Sequence, residues 1–310
     1  MPKIFIVILN WNQPKLTLET VESVSRLRVT GYGLRIVVVD NGSDDNSLAE
    51  LRKLTRNAQH ATPKQIELLI NEKNLGYAGG NNVGIRYALK NGADWVLVVN
   101  NDVSVDKDLI IELLKVADKY PKVGVIGPKI YFAKGFEFYK KRYKKEDLGK
   151  ILWYAGGEIN WDHAWGSPRG ADEVDRGQYD KVEETDYATG TAVLLNAKAL
   201  KKVGFFYDKY FMYYEDTDLS VRMKRAGWKI LFAPGAVVYH KVAQSSTIGG
   251  DLNDYFITRN RMYFGMLYAP FRTRLNLMKQ AVFLLMGGRP PQKKAIFDYF
   301  VGRMGRGSWR

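Results

Sequence analysis

Three near-continuous aliphatic runs, IFIVIL (4–9), LRIVVVD (34–40) and DWVLVVNND (94–102), are each too short for a helix and each closed by Asn or Asp. Apolar residues recur at helical spacing between them, as with Leu16, Val21, Val24 and Leu27. Further helical segments run from Ser47 to Arg56, from about Asn81 to Asn91 and from about Lys107 to Lys119. IELLIN (66–71) and VGVIGPKI (123–130) add two more runs. A strand that is apolar on both faces needs cover on both faces, so this β-α-β-α alternation predicts a mostly parallel sheet flanked by helices. The carboxyl ends of such strands form the edge where open α/β sheets hold ligands. The expected fold class is α/β, a single Rossmann-like mixed sheet with a helical C-terminal extension.

The pattern breaks after Phe132. Residues 134–150 are basic and aromatic, and residues 151–180 are rich in Trp, Gly and Asp. A loop of that length has its own task or is mobile. Strand and helix resume at ATGTAVLLNAKALKKVG (188–204), EDTDLSVRMKRAG (215–227) predicts a helix, and WKILFAP (228–234) and AVVYHK (236–241) end the sheet. The expected organisation is a main domain over 1–246 and an extension over 247–310. Within the main domain, 1–132 forms one half and 133–246, with the 134–180 insertion, the other.

With 0 cysteines, thiolate metal sites, iron–sulfur clusters and cysteine nucleophiles are excluded. The 3 histidines leave any metal mainly to carboxylates, so the expected ion is Mg²⁺ or Mn²⁺. Residues 251–310 hold 11 Lys/Arg against 3 acidic residues, a net +8 of the chain's +14. Aromatic and aliphatic side chains lie between them. Such a segment is either a packed helical tail with a solvated basic face or a surface for an anionic membrane or lipid-linked substrate. No nucleic-acid reading motif accompanies the charge, so no nucleic-acid partner is expected. No window reaches 18 uninterrupted apolar residues, and the first run is too short for a secretory leader. A cytoplasmic protein, peripheral on the inner face of the cell membrane, is the expectation.

Four constellations carry chemistry. Asp40 closes an apolar strand and is followed by the turn formers Asn41, Gly42 and Ser43, which suits either ligand contact or a cap. Asp102, after Asn100 and Asn101, would sit on the same edge, where one carboxylate can hold Mg²⁺ or Mn²⁺ together with substrate phosphates. Glu215, Asp216 and Asp218 open a helix; the dipole favours acids there, yet one turn cannot aim all three at it. Either Glu215 or Asp216 is left to accept a proton from a hydroxyl. His240 ends the last strand, where a neutral imidazole suits a metal already held by Asp102. NLGYAGGNNVGI (74–85) fits neither G-x-G-x-x-G nor a P-loop, and no G-x-S-x-G elbow occurs, against dehydrogenase, P-loop and hydrolase chemistry.

Seven segments in order, IVILNWN (6–12), VVVDNGSDD (37–45), NLGYAGGNNVGI (74–85), VVNNDV (98–103), ATGTAVLLNAKALKKVGFF (188–206), YYEDTDLSVRMKRAGWKI (213–230) and VYHKVAQSS (238–246), resemble the family 2 glycosyltransferases of GT-A fold. The rhamnosyltransferase-like branch looks nearest. The resemblance implies an inverting, divalent-metal-dependent transferase that moves a sugar from a nucleotide diphosphate to an acceptor hydroxyl. The acceptor would be a growing surface or lipid-linked glycan. It makes dTDP-rhamnose the first candidate donor, with UDP-glucose, UDP-galactose or UDP-GlcNAc as alternatives and a silent nucleotide-sugar-binding or membrane-docking homologue as another class. It implies donor contacts from Asn10, Asn12, Asp40, Asn41, Gly42, Asn74, Gly76, Gly79, Asn82, Asn101 and Asp102, with the base contact at Asp40. It implies metal ligation by Asp102 and His240, a general base at Asp216 with Glu215 second, and acceptor contacts from Thr189, Gly190, Glu215 and Asp216. The Gln-x-x-Arg-Trp motif of processive synthases is absent, with Arg259-Asn260-Arg261-Met262 in the comparable region, which implies one or few sugars per encounter.

Overall fold

The computed structural model describes residues 1–29, 31–61, 65–242 and 250–309. The end of the 238–246 segment, the expected 246/247 boundary and Arg310 lie outside them. The strands of the first half are β1 (Lys3–Asn10), β2 (Gly33–Asp40), β3 (Gln65–Ile70), β4 (Trp95–Val99), β5 (Val103–Val105) and β6 (Val123–Phe132). Those of the second are β7 (Leu152–Tyr154), β8 (Gly157–Asn160), β9 (Trp165–Pro168), β10 (Glu183–Glu184), β11 (Ala192–Asn196) and β12 (Lys229–His240). The helices are α1 (Pro14–Ser25), α2 (Ser47–Ala61), α3 (Gly76–Lys90), α4 (Leu109–Lys119), α5 (Ala197–Val203), α6 (Glu215–Arg225), α7 (Asp251–Tyr268), α8 (Phe271–Gly287) and α9 (Pro290–Phe300).

The main sheet runs β10-β12-β6-β11-β4-β1-β2-β3. It is the expected mixed, mostly parallel sheet with helices on its faces. Because β1, β2 and β4 are parallel, their carboxyl ends share an edge, and register sets Asn10 beside Asp40. β11 is antiparallel to both β4 and β6, with Ala192 opposite Val99. Its reversed direction brings the residues before it, Thr189 to Thr191, to the edge where β4 ends. β12 runs parallel to β6 and delivers His240 to the same edge. One reversed strand thus gathers residues from across the sequence.

Two expectations need correction. The glycine-rich stretch is not a turn leading into a helix at about Asn81; α3 already begins at Gly76. A Cβ on Gly84 would lie 2.4 Å from Val7 Cγ1 and one on Gly80 2.5 Å from Leu9 Cδ1. These glycines let α3 lie close against β1, so their spacing serves packing. The runs 228–234 and 236–241 are one strand, β12, with a register irregularity between Ala233 and Val237. β4 is the apolar WVLVV strand with Asn100 to Asp102 directly after it, as expected, and Val103 begins β5, which pairs with β12.

The 134–180 insertion is built into the fold. β7 pairs with β6, β8 and β9 form a hairpin, and buried Lys129 holds Asp175 at 2.8 Å and Asp180 at 2.6 Å. α7 is likewise part of the core, burying Tyr255, Phe256, Met262 and Phe264 together with a fully buried Arg259.

Candidate active site

Pairing of β12 with β5 sets His240 opposite Val103, and so beside Asp102. The Lys241 N–H donates to the Asp102 carbonyl at 2.9 Å, and His240 Nε2 lies 3.3 Å from Asp102 Oδ1. The Trp153 ring stands perpendicular to the imidazole, centroids 4.9 Å apart. Both side chains are buried, yet Asp102 Oδ1 and His240 Nδ1 have no hydrogen-bond partner. Buried polar atoms are rarely left so, and where they are, a ligand or ion is the first explanation.

The start of α6 faces this pair. Asp216 Oδ2 accepts from the Gly190 N–H at 2.9 Å, and Oδ1 accepts from the Thr217 N–H at 2.6 Å. Tyr77 closes the other side of this loop, its hydroxyl donating to the Gly190 carbonyl at 2.5 Å. A Cβ on Gly190 would lie 2.6 Å from that hydroxyl oxygen, so only glycine fits. Burial raises the Asp216 pKa, against the lowering effect of the Gly190 and Thr217 N–H groups. Glu215 is pushed up much further, by burial first and then by the Asp216 charge, and its Oε2 has no partner. Two adjacent carboxylates with separated pKa values divide their roles: Glu215 keeps its proton to higher pH, and Asp216 ionises first. Asp218 is structural, fixed by Arg222 at 2.6 Å and by the hydroxyls of Tyr210 and Tyr268.

The backbone before α6 is strained. Phe211, Tyr213 and Tyr214 have φ of 65°, 66° and 74°, a region that non-glycine residues enter at a cost of about 1–3 kcal/mol each. Asn260 of α7 offsets it: its Nδ2 donates to the carbonyls of Tyr210, Met212 and Tyr213 at 2.9, 2.7 and 3.0 Å. Arg259 Nη2 adds a bond to the Tyr210 carbonyl at 3.2 Å.

Asp102, His240, Thr189, Gly190, Glu215 and Asp216 all line one cleft of about 560 Å³. Its remaining walls include Tyr77, Trp153, Tyr154, Trp165, Tyr187 and, from α7, Asn253 and Ile257. The sequence reading did not name these wall residues; the Trp-rich composition of 151–180 was the available signal for Trp153 and Trp165. Asp102 and His240 fit a hard divalent ion that takes its remaining ligands from phosphate and water oxygens. Among the described residues no group of three or more His, Cys, Asp or Glu forms an all-protein cage.

The other donor-side candidates do not line this cleft. Buried Asn10 donates to Asp40 Oδ1 at 2.9 Å and accepts from Thr17 Oγ1 at 2.6 Å. Asp40 also accepts from the Ser43 hydroxyl at 2.7 Å, the cap-and-turn arrangement. Asn41 donates to Asn74 Oδ1 and the Gly76 carbonyl and accepts from Asn71 Nδ2 and the Leu75 N–H. Asn82 donates to the Phe206 carbonyl at 2.8 Å and to Asp208 Oδ1 at 2.6 Å, and Asn101 donates to Thr17 at 3.1 Å. Asn12 is pinned to Ser43 and Asp44. Gly42, with φ +68°, sits where a Cβ would meet the Lys73 backbone at 2.5 Å. Gly76, with φ +74°, would bring a Cβ to 2.5 Å from the Phe211 carbonyl, and Gly79 to 2.9 Å from Leu75 Cβ.

The sequence model described as glycosyl transferase family 2 matches residues 5–204. The chain belongs to that family. A second model, glycosyl transferase family group 2, matches residues 178–297 and so takes in α7 and α8. An N-acetylglucosaminyl-diphospho-decaprenol L-rhamnosyltransferase of Mycobacterium tuberculosis is 27% identical over 219 residues, 68% of this chain and 67% of that protein. The low-salt glycan biosynthesis hexosyltransferase Agl10 of Haloferax volcanii is 26% identical over 199 residues, 64% of this chain and 55% of that protein. Among solved structures, the mannosyltransferase PcManGT of Pyrobaculum calidifontis, in complex with GDP-Man and Mn²⁺, superposes with TM-score 0.58 at 14% identity, covering 97% of this chain and 74% of that one. GalNAc-T7 with UDP, GalNAc and Mn²⁺ gives TM-score 0.63 at 14% identity, covering 94% and 58%. These likenesses establish the GT-A fold. The chain is a family 2 glycosyltransferase, rhamnosyltransferase-like in sequence, and an enzyme of the hexosyltransferase class.

Proposed function

We propose that this glycosyltransferase carries a sugar from a nucleotide diphosphate to a hydroxyl of a lipid-linked glycan in one inverting displacement. The observation that supports this best is the convergence of Asp102 Oδ1, His240 Nδ1 and Glu215 Oε2, all buried and unpartnered, on the cleft that holds Asp216. Asp216, held in place by the Gly190 and Thr217 N–H groups, accepts the acceptor proton as the new bond forms. Glu215, neutral to higher pH, does not compete as the base. Asp102 and His240 would hold a divalent cation, which neutralises charge on the leaving diphosphate. The donor diphosphate would lie beside Asp102 and His240, and Trp153, Trp165 and Tyr187 form apolar walls for the acceptor.

The mycobacterial rhamnosyltransferase favours a rhamnosyl donor, for which dTDP-rhamnose is the first candidate, and a lipid-linked acceptor. UDP sugars are the second reading, favoured by the fold neighbours TarS of S. aureus, solved with UDP-GlcNAc, and GalNAc-T7, solved with UDP. No helix among the described residues is long and apolar enough to cross a membrane. α8 instead exposes Phe271, Val282, Phe283 and Met286, with Arg272 and Lys279 also exposed on it, which suits peripheral docking on an anionic membrane. Calorimetry of UDP, dTDP and GDP with and without Mn²⁺ tests the reading. Preference for one nucleotide, present only with the cation, is expected; absence of binding to all three overturns it.

A further inference from the structure

A second cavity, of about 310 Å³, lies between α7 and α8 and is closed by Trp165 of β9 and Gln292 of α9. It is at the small end of the range of roughly 300–1,000 Å³ for ligand pockets. It shares Trp165, Asn253 and Ile257 with the catalytic cleft, so the two spaces adjoin at the acceptor side. We infer that this cavity is a saccharide subsite, which holds a further sugar unit of the acceptor beside the unit that receives the transferred sugar. The inference rests on the transferase reading above.

Two features select a sugar. Ile257, Met262, Leu277 and Leu284 give apolar walls, and the half-exposed Trp165 offers an indole at the junction, with the Arg261 guanidinium 5.8 Å from its ring centroid. A pyranose has an apolar C–H face that such a surface accepts. Asp254 supplies the polar feature. Its side chain is 9% exposed; Oδ1 is paired with Arg289, and Oδ2 is buried with no hydrogen-bond partner. A carboxylate oxygen only accepts hydrogen bonds, so a buried one without a donor requires an O–H or N–H from outside the chain. Sugar hydroxyls supply that donor. An isoprenoid or alkyl chain in the same space would leave Oδ2 unsatisfied. Apolar walls beside a buried carboxylate oxygen that lacks a donor, with Thr258 and Gln280 among the further polar lining groups, therefore match a stacked pyranose better than a lipid tail.

The test measures binding of p-nitrophenyl mono-, di- and trisaccharides of glucose, galactose, GlcNAc, mannose and rhamnose to the full chain, with UDP and dTDP binding measured in parallel. At least one di- or trisaccharide should bind about tenfold or more tighter than its monosaccharide, the difference made by one stacked ring and one charge-assisted hydrogen bond. Asp254→Asn should remove most of that gain. Thr258→Trp, which fills the cavity from α7 and leaves the Asp254–Arg289 pair alone, should remove it too and stands alone if the first variant does not fold. Both should keep monosaccharide and nucleotide binding. Equal binding of long and short saccharides, no saccharide binding at all, or a gain that survives Thr258→Trp each overturns the subsite. Farnesyl phosphate binding that Thr258→Trp abolishes makes the cavity a lipid site and overturns it as well. Loss of nucleotide binding in the unmutated protein would instead fall on the transferase reading.

Discussion

Two stretches of the same sheet edge differ in how their polar groups are satisfied. Along β1–β3, Asn10, Asp40 and Asn41 are buried and joined to chain partners. Across β4, β12 and the start of α6, Asp102, Glu215 and His240 are equally buried but each keeps an atom without a partner. In the first stretch these side chains are satisfied within the chain and shape the loops. The second is incomplete without something from outside, because a buried unsatisfied polar group is destabilising. Chemistry belongs where the protein's own hydrogen bonding stops short.

That contrast breaks most readily at Asp216. Asp216→Asn should lower turnover by about 10²–10⁴-fold, the usual worth of a general base, while nucleotide binding stays nearly unchanged. Steady-state rates beside calorimetry check this, and retained turnover moves the base to Glu215. Asp102→Ala should abolish the Mn²⁺-dependent part of nucleotide binding; a cation effect of the same size in the variant removes Asp102 from the ion's ligands. On the satisfied stretch, Asn41→Ala should cost stability, about 1–3 kcal/mol by urea denaturation, because it strands buried partners. A variant as stable as the parent would make the contrast empty.

The smallest effect carries a sign. Glu215 has a folded pKa raised by burial, so the folded state favours its protonated form. Its stability contribution is intact below the unfolded glutamate value of about 4.3 and is lost as pH rises toward the folded value. Glu215→Gln should therefore match the parent at low pH and exceed it in stability as pH rises through that window. Equal pH profiles of melting temperature would contradict the buried, uncompensated carboxyl.

The alternating apolar runs were enough to read the parallel sheet and its functional edge, because strand period and burial are written locally. The positions of Asp102, His240, Glu215 and Asp216 were legible for a similar reason, close to strand ends or at the start of a helix, whereas Thr189 and Gly190 entered only through the family resemblance. Other features were not. Gly80 and Gly84 resemble turn residues until the backbone of α3 is seen against β1. Asn260 gives no local signal, since its three acceptors lie about fifty residues earlier in the chain. The satisfied state of Asn41 depends on Asn71, Asn74 and Leu75, a relation set by loops and not by period.

The Asn260 clamp also has a meaning in time. The left-handed run that aims Glu215 and Asp216 is held from a helix translated later, and Trp309 packs in turn on Tyr255 and Phe256 of that helix. During synthesis the sheet and its edge can form while the ribosome still holds the rest, since chains fold from the N-terminal side first. Until α7 docks, the Tyr210, Met212 and Tyr213 carbonyls lack the Asn260 amide that holds them. A chain grown past Asp216 but short of α7 therefore carries both carboxylates without the side chain that fixes the backbone in front of them.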